Sequence, residues 1–283
     1  MRLVPLFLLL LACAPPQPPA PAAAPQRIVS LIPAVTETLF AVGAGAQVVG
    51  VSAFDTWPPE VANVARVGGL IDPDTERILS LTPDLAFLYG SQEELIAQLT
   101  RAGVAVEVYR HGGLAEIVSS IRAVGSRVGH GAEAERVASD IERAVAAIRA
   151  RTAGAPRPST LIVFGREEGT LRGIYASGGT GFIHDMVEAA GGRNVFADVT
   201  RESVQASLES ILERAPDVIL EIRASAAARA PDWAASARRA WAGAPSLPAV
   251  RNGRVHGLLD ARLVIPGPRI AEGVALLERA IRP

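Results

Sequence analysis

Residues 76–88 (Glu-Arg-Ile-Leu-Ser-Leu-Thr-Pro-Asp-Leu-Ala-Phe-Leu) and 209–221 (Glu-Ser-Ile-Leu-Glu-Arg-Ala-Pro-Asp-Val-Ile-Leu-Glu) follow one pattern, Glu-x-Ile-Leu-x-x-x-Pro-Asp and then an apolar run. Each copy predicts a short helix opened by the glutamate, stopped by Pro-Asp and followed by a buried strand. The copies begin 133 positions apart, a domain-sized interval and not a solenoid period. The chain is therefore expected to build two similar lobes, each presenting an acid at the same place.

The ends of the chain set these lobes in context. Residues 1–12 read as a targeting segment: Arg2 is a positive start, and Leu3 to Leu11 is an apolar run too short to span a bilayer. Leu10-Leu11-Ala12-Cys13 resembles the lipobox of bacterial lipoproteins, which implies cleavage before Cys13 and a lipid on that cysteine. Cys13 is the only cysteine, so no disulfide can form within the chain. Residues 13–26 are rich in proline and alanine and read as an extended tether, able to reach roughly 40 Å from a membrane. Membrane contact is expected only through the anchor, on the periplasmic or cell-surface side.

The rest of the chain alternates strands and helices. Strands at 27–31, 48–51, 85–89 and 104–109 interleave with helices beginning at Pro33 and spanning 75–82, 92–102 and 114–128. That is the grammar of βα units over a parallel sheet. Between the repeats, Val137, Ile141, Val145 and Ile148 recur at helical spacing among arginines and acids, predicting one amphipathic helix about 30 Å long. The expected fold is α/β: two Rossmann-like lobes with parallel-rich sheets, 27–131 and 154–283, joined by a single backbone helix over 132–153, with a ligand cleft between them. In the second lobe, strands are expected at 160–164, 217–222 and 254–257. Helices are expected at 181–190, 208–214, 223–242 and 268–281, with an irregular glycine-rich stretch after 164.

Enzymatic readings find little support. All 28 basic residues are arginine, which removes the P-loop lysine, Schiff-base lysines and lysine general bases. Ser177-Gly-Gly-Thr-Gly-Phe lacks the spacing of a phosphate-binding loop and reads as a turn. There is no Gly-x-Ser-x-Gly elbow, and His111, His130, His184 and His256 are scattered without metal-ligand spacing. No catalytic residue, metal site or resident cofactor is therefore expected. A formal charge of −1 without a basic stripe argues against nucleic acid as a partner.

From Arg27-Ile-Val-Ser-Leu-Ile-Pro-Ala-Val-Thr-Glu onward, the chain resembles periplasmic binding proteins for vitamin B12 and ferric siderophores. Val51-Ser-Ala-Phe-Asp-Thr-Trp-Pro-Pro-Glu, Val67-Gly-Gly, the Glu76 repeat, Gly191-Gly-Arg-Asn-Val-Phe, the Glu209 repeat and Pro266-Gly-Pro-Arg-Ile carry the likeness in the same order. The resemblance implies a monomer that captures a small molecule between its lobes and delivers it to a dimeric ABC permease with its ATPase subunits. It implies that Glu76 and Glu209 dock onto permease arginines. An enzyme working in the cleft and a ligand sensor contacting a receptor kinase are the alternatives from other classes.

Ligands of open α/β lobes sit beyond the carboxyl ends of the strands. The loops there offer Phe54, Trp57, Leu70, Tyr89, Arg166, Ser203, Asp260 and Arg262. Phe54 and Tyr89 match aromatic positions of the vitamin B12 binders, whereas Leu70 and Ser203 stand where the best-known of them has tryptophans. A cobalamin-type corrinoid ranks first as ligand and a ferric siderophore second. Haem ranks third, with Tyr89 as an axial ligand and Arg166 and Arg262 as partners for propionates.

Overall fold

The computed structural model describes residues 24–224 and 232–282. The targeting segment, Cys13 and the tether up to residue 23 lie outside the described residues, as does 225–231 within the expected Ala-rich helix. The first lobe runs β1 (Ile28–Ser30), α1 (Pro33–Ala41), β2 (Val48–Val51), β3 (Ala65–Arg66), α2 (Thr75–Ser80), β4 (Leu85–Tyr89), α3 (Glu93–Arg101), β5 (Ala105–Tyr109) and α4 (Leu114–Arg127). Its sheet has the order β3-β2-β1-β4-β5, with every pair parallel. The central strands are apolar on both faces because helices cover both sides.

A single helix, α5 (Gly131–Thr152), follows. Its 22 residues measure about 33 Å. Ala134, Ala138, Ile141, Val145, Ile148 and Thr152 form its buried stripe, about one turn longer at each end than the one predicted from Val137 to Ile148, and Val137 itself is only partly covered. The stripe packs on α4 on one side and on α6 and α10 on the other. Gly125 of α4 permits the closest approach, since a Cβ there would stand 2.2 Å from the Ala134 methyl.

The second lobe contains β6 (Ser159–Gly165), β7 (Ile174–Ser177), α6 (Phe182–Ala189), β8 (Arg193–Asn194), β9 (Ser203–Ala206), α7 (Leu208–Arg214), β10 (Val218–Arg223), α8 (Trp233–Trp241), α9 (Pro248–Arg251), β11 (Val255–Leu259) and α10 (Ile270–Ile281). The sheet order is β11-β10-β6-β7-β9, with β8 beside β6. Here the structure departs from the sequence reading: the stretch expected to be irregular contains β7, antiparallel to both β6 and β9. The link from Gly165 to Ile174 is too short for a helical crossover, so the chain turns straight back. The Ser177-Gly-Gly turn is sterically obligatory, because a Cβ at Gly178 or Gly179 would fall about 2.0–2.1 Å from the carbonyl oxygens of Arg201 and Ala197.

The sequence repeat recurs in three dimensions. Ile78 and Ile211 are fully buried and anchor α2 and α7. Both helices are followed by a left-handed residue, Thr82 (φ 46°) and Ala215 (φ 42°), the only non-glycine residues of positive φ among the described residues. The Pro-Asp aspartates then clamp the start of each lobe's first strand: Arg27 N donates to Asp84 Oδ1 (3.0 Å) and Ser159 N to Asp217 Oδ2 (2.9 Å).

Candidate ligand-binding cleft

The carboxyl ends of the two sets of parallel strands carry the loops expected to hold a ligand. On the first lobe these loops bear Phe54, 67% exposed, and Trp57, 44% exposed. On the second lobe a cavity of about 580 Å³ is lined by the apolar Phe164, Phe182, Ile222 and Val264. This is an ordinary size for a small-molecule site. Glu202, Ser203 and Arg223 supply its polar edge.

A series of rings leads from one lobe to the other. Tyr89 meets Tyr109 edge-on (6.1 Å between centroids), Tyr109 faces His111 (6.5 Å, 29° between planes), and His111 meets Phe182 edge-on (6.3 Å). His111 Nε2 also lies 3.5 Å from Glu202 Oε2. Tyr109, His111 and Phe182 were not singled out from the sequence. Tyr89 and Tyr109 are paired in register as the last residues of β4 and β5, and that shared strand-end position was the available signal. Burial raises the pKa of both phenols, and the charge of Asp55 raises that of Tyr89 further. Neither ring is predisposed to be a phenolate.

Beside the rings, the lobes are tied together. Arg269 Nε donates to Glu37 Oε2 (2.9 Å), and the Arg269 guanidinium lies 4.8 Å from the centre of the Trp57 ring. Burial raises the pKa of the Glu37 carboxyl, with Arg269 opposing the shift. Tyr109 Oη donates to the Pro266 carbonyl (3.3 Å), and Leu114 N at the start of α4 donates to Asp185 Oδ2 of α6 (2.8 Å). All three links cross from one lobe to the other.

Other expected site residues are placed differently. Arg166 does not reach a ligand: its side chain is 3% exposed and its Nε donates to Glu221 Oε1 (2.6 Å), which also accepts from Trp241 Nε1 (2.6 Å). A strand-end arginine beside an inward-facing glutamate pairs within the protein, because an unpaired buried carboxylate is costly. Arg262 is bound at once by Asp260 (2.6 Å) and Glu272 (2.8 Å), and the Asp260 carboxyl is held below its usual range by that contact. Leu70 borders a separate depression with Thr75 and Gln98, away from the lining of the larger cavity. Ser203 does line that cavity. Glu76 and Glu209 sit exposed in the first turns of α2 and α7.

Asp55, also missed, is 2% exposed, and neither carboxylate oxygen has a hydrogen-bond partner. Burial pushes its pKa up to about 6; the nearby Thr36 and Ser52 hydroxyls and Arg66 oppose this only in part, since neither hydroxyl makes a well-formed bond. A raised carboxyl pKa means the fold favours the proton. Its contribution to stability is full below the unfolded value near pH 4 and is lost as pH rises toward about 6, some 2–3 kcal/mol in all. Asp55→Asn is expected to flatten this decline. Urea unfolding of both proteins across that range checks it; a constant difference between them would show that Asp55 does not titrate there.

Residues 28–261 match the periplasmic binding protein family. The chain belongs to that family. Its members are binding proteins for transport and not enzymes. One relative is the Bacillus subtilis ABC transporter substrate-binding lipoprotein YvrC, 29% identical over 267 residues covering 92% of this chain and 81% of that one. The vitamin B12-binding protein of Salmonella typhimurium is 31% identical over 199 residues, 70% of this chain and 72% of the relative. Among solved structures, the periplasmic haem-binding protein RhuT of Roseiflexus superposes with a TM-score of 0.74 at 30% identity, covering 90% of this chain and 97% of RhuT.

Proposed function

We propose that this periplasmic binding protein is lipid-anchored through Cys13, captures a cobalamin-type corrinoid between lobes 27–131 and 154–283, and delivers it to the permease of an ABC importer. The ring series from Tyr89 to Phe182, opening on an apolar cavity, carries the ligand assignment. His111 and Phe182, with the exposed Phe54 and Trp57, are open to a broad, flat macrocycle, while Tyr109 is buried behind them. Charge at the cleft is divided: Arg223 at the cavity edge lies over the Trp233 ring without an ion pair among the described residues and suits an anionic group, whereas the two arginines expected from the sequence favour a neutral rim. A corrin rim bears neutral amides, and Arg166 and Arg262 are already neutralised by Glu221, Asp260 and Glu272. Ser203 and Glu202 remain to hydrogen-bond amides. The likeness to the vitamin B12-binding protein of Salmonella typhimurium supports the same choice.

Delivery requires a docking face. Each helix of the Glu-x-Ile-Leu unit follows a strand and runs back along its sheet, so its first turn lies at the carboxyl-end rim, where the cleft opens. In the second lobe this holds because β9, antiparallel to β7, is parallel to β6. Glu76 and Glu209 therefore flank the cleft and are assigned to permease arginines.

The ligand is tested by equilibrating the protein in turn with cyanocobalamin, haemin and a ferric siderophore, desalting, and recording absorption. Retained corrinoid bands are expected. A retained Soret band that disappears in Tyr89→Phe would replace the corrinoid with haem.

A further inference from the structure

We propose that each docking element has two parts: a glutamate and, one helical turn on, an exposed leucine. Glu76 pairs with Leu79 and Glu209 with Leu212, and the permease presents at each site an arginine beside an aliphatic pocket. This rests on the docking role assigned above to the glutamates.

An isolated exposed leucine needs no explanation. Here two occupy the same register of a repeated unit, and their exposures, 37% and 38%, are almost equal. The intervening isoleucines, Ile78 and Ile211, are fully buried. In each lobe the unit Glu-x-Ile-Leu thus has its isoleucine as inward anchor and its glutamate and leucine facing outward. Residues three apart share a helix face, and helical side chains lean toward the N-terminus, so each leucine covers surface beside its glutamate.

The glutamates are not needed as helix caps. Asp74 accepts from Arg77 N (2.9 Å) and Ser207 from Ser210 N (3.1 Å). Neither glutamate forms an ion pair among the described residues, although Glu107, Glu135, Glu142 and Glu278 all do. An unpaired carboxylate beside an aliphatic side chain complements a planar, weakly hydrated guanidinium set next to apolar surface. The pattern occurs once per lobe at the rim of the cleft, as a two-fold partner requires.

The test uses the full chain and an ABC importer of the same organism whose ATP hydrolysis it stimulates, reconstituted in proteoliposomes, with that stimulation titrated against binding protein. Leu79→Ala with Leu212→Ala is expected to raise the half-saturating concentration roughly tenfold for each leucine. Urea midpoint and cyanocobalamin retention should not change, because both side chains lie on the surface. A titration matching wild type overturns the two-part element. If Glu76→Ala with Glu209→Ala shifts the titration and the leucine variant does not, the glutamate docking role stands alone. If neither variant shifts it, that role fails and the leucine proposal fails with it.

Discussion

Alanine at both Glu76 and Glu209 is expected to abolish uptake while leaving ligand affinity unchanged. A charge-assisted bond to arginine contributes about 1.5–3 kcal/mol. Losing two would weaken docking on the order of 10²–10⁴-fold. The cost to folding is small by comparison. Each glutamate gains about 0.3–1 kcal/mol from its helix dipole, and the Asp74 and Ser207 caps remain. Uptake of radiolabelled cyanocobalamin by cells carrying the variant, set beside its affinity in solution, separates the two roles. Normal uptake would end the docking assignment, and lost affinity would move these residues into the ligand site.

The largest effect on folding is expected at Arg166. Arg166→Met leaves Glu221 as a buried carboxylate whose remaining side-chain donor is the Trp241 indole, and stability should fall by about 3–5 kcal/mol. Adding Glu221→Gln removes the stranded charge while keeping an oxygen for Trp241 Nε1, so much of the loss should be recovered. Urea denaturation of wild type, single and double variants measures this. A single variant as stable as wild type would mean that the pair contributes nothing net. A wild-type urea midpoint with lost ligand binding would return Arg166 to the cleft.

The contrast between Arg166 and Glu76 explains what could be read from the chain. The repeat was legible because its parts are local: a cap, an inward isoleucine, a left-handed stop and a clamping aspartate all lie within one short segment. Four strands of the first sheet were legible for the same reason, since each strand–helix step has a crossover long enough to force parallel pairing; the edge strand β3, only Ala65–Arg66, was too short to leave an apolar run and was missed. β7 was hidden because its direction depends on the shortness of the preceding link, while its glycine-rich flanks look irregular. Arg166 was misplaced because its partner Glu221 lies 55 positions on in a neighbouring strand. An arginine at a strand end looks the same whether it meets solvent, ligand or a buried acid. Tyr109 and His111 matter only through neighbours brought to them by both lobes.

The ties between the lobes bear on how the importer is supplied. Glu37–Arg269, Tyr109–Pro266 and Leu114–Asp185 together with α5 leave little room for the lobes to swing. An empty carrier and a laden one then offer the permease nearly the same outline. If the permease reads that outline alone, vacant copies would compete for the entrance when solute is scarce, and surplus carrier would slow import instead of hastening it. The ratio of carriers to gates would then be a quantity for the cell to hold down.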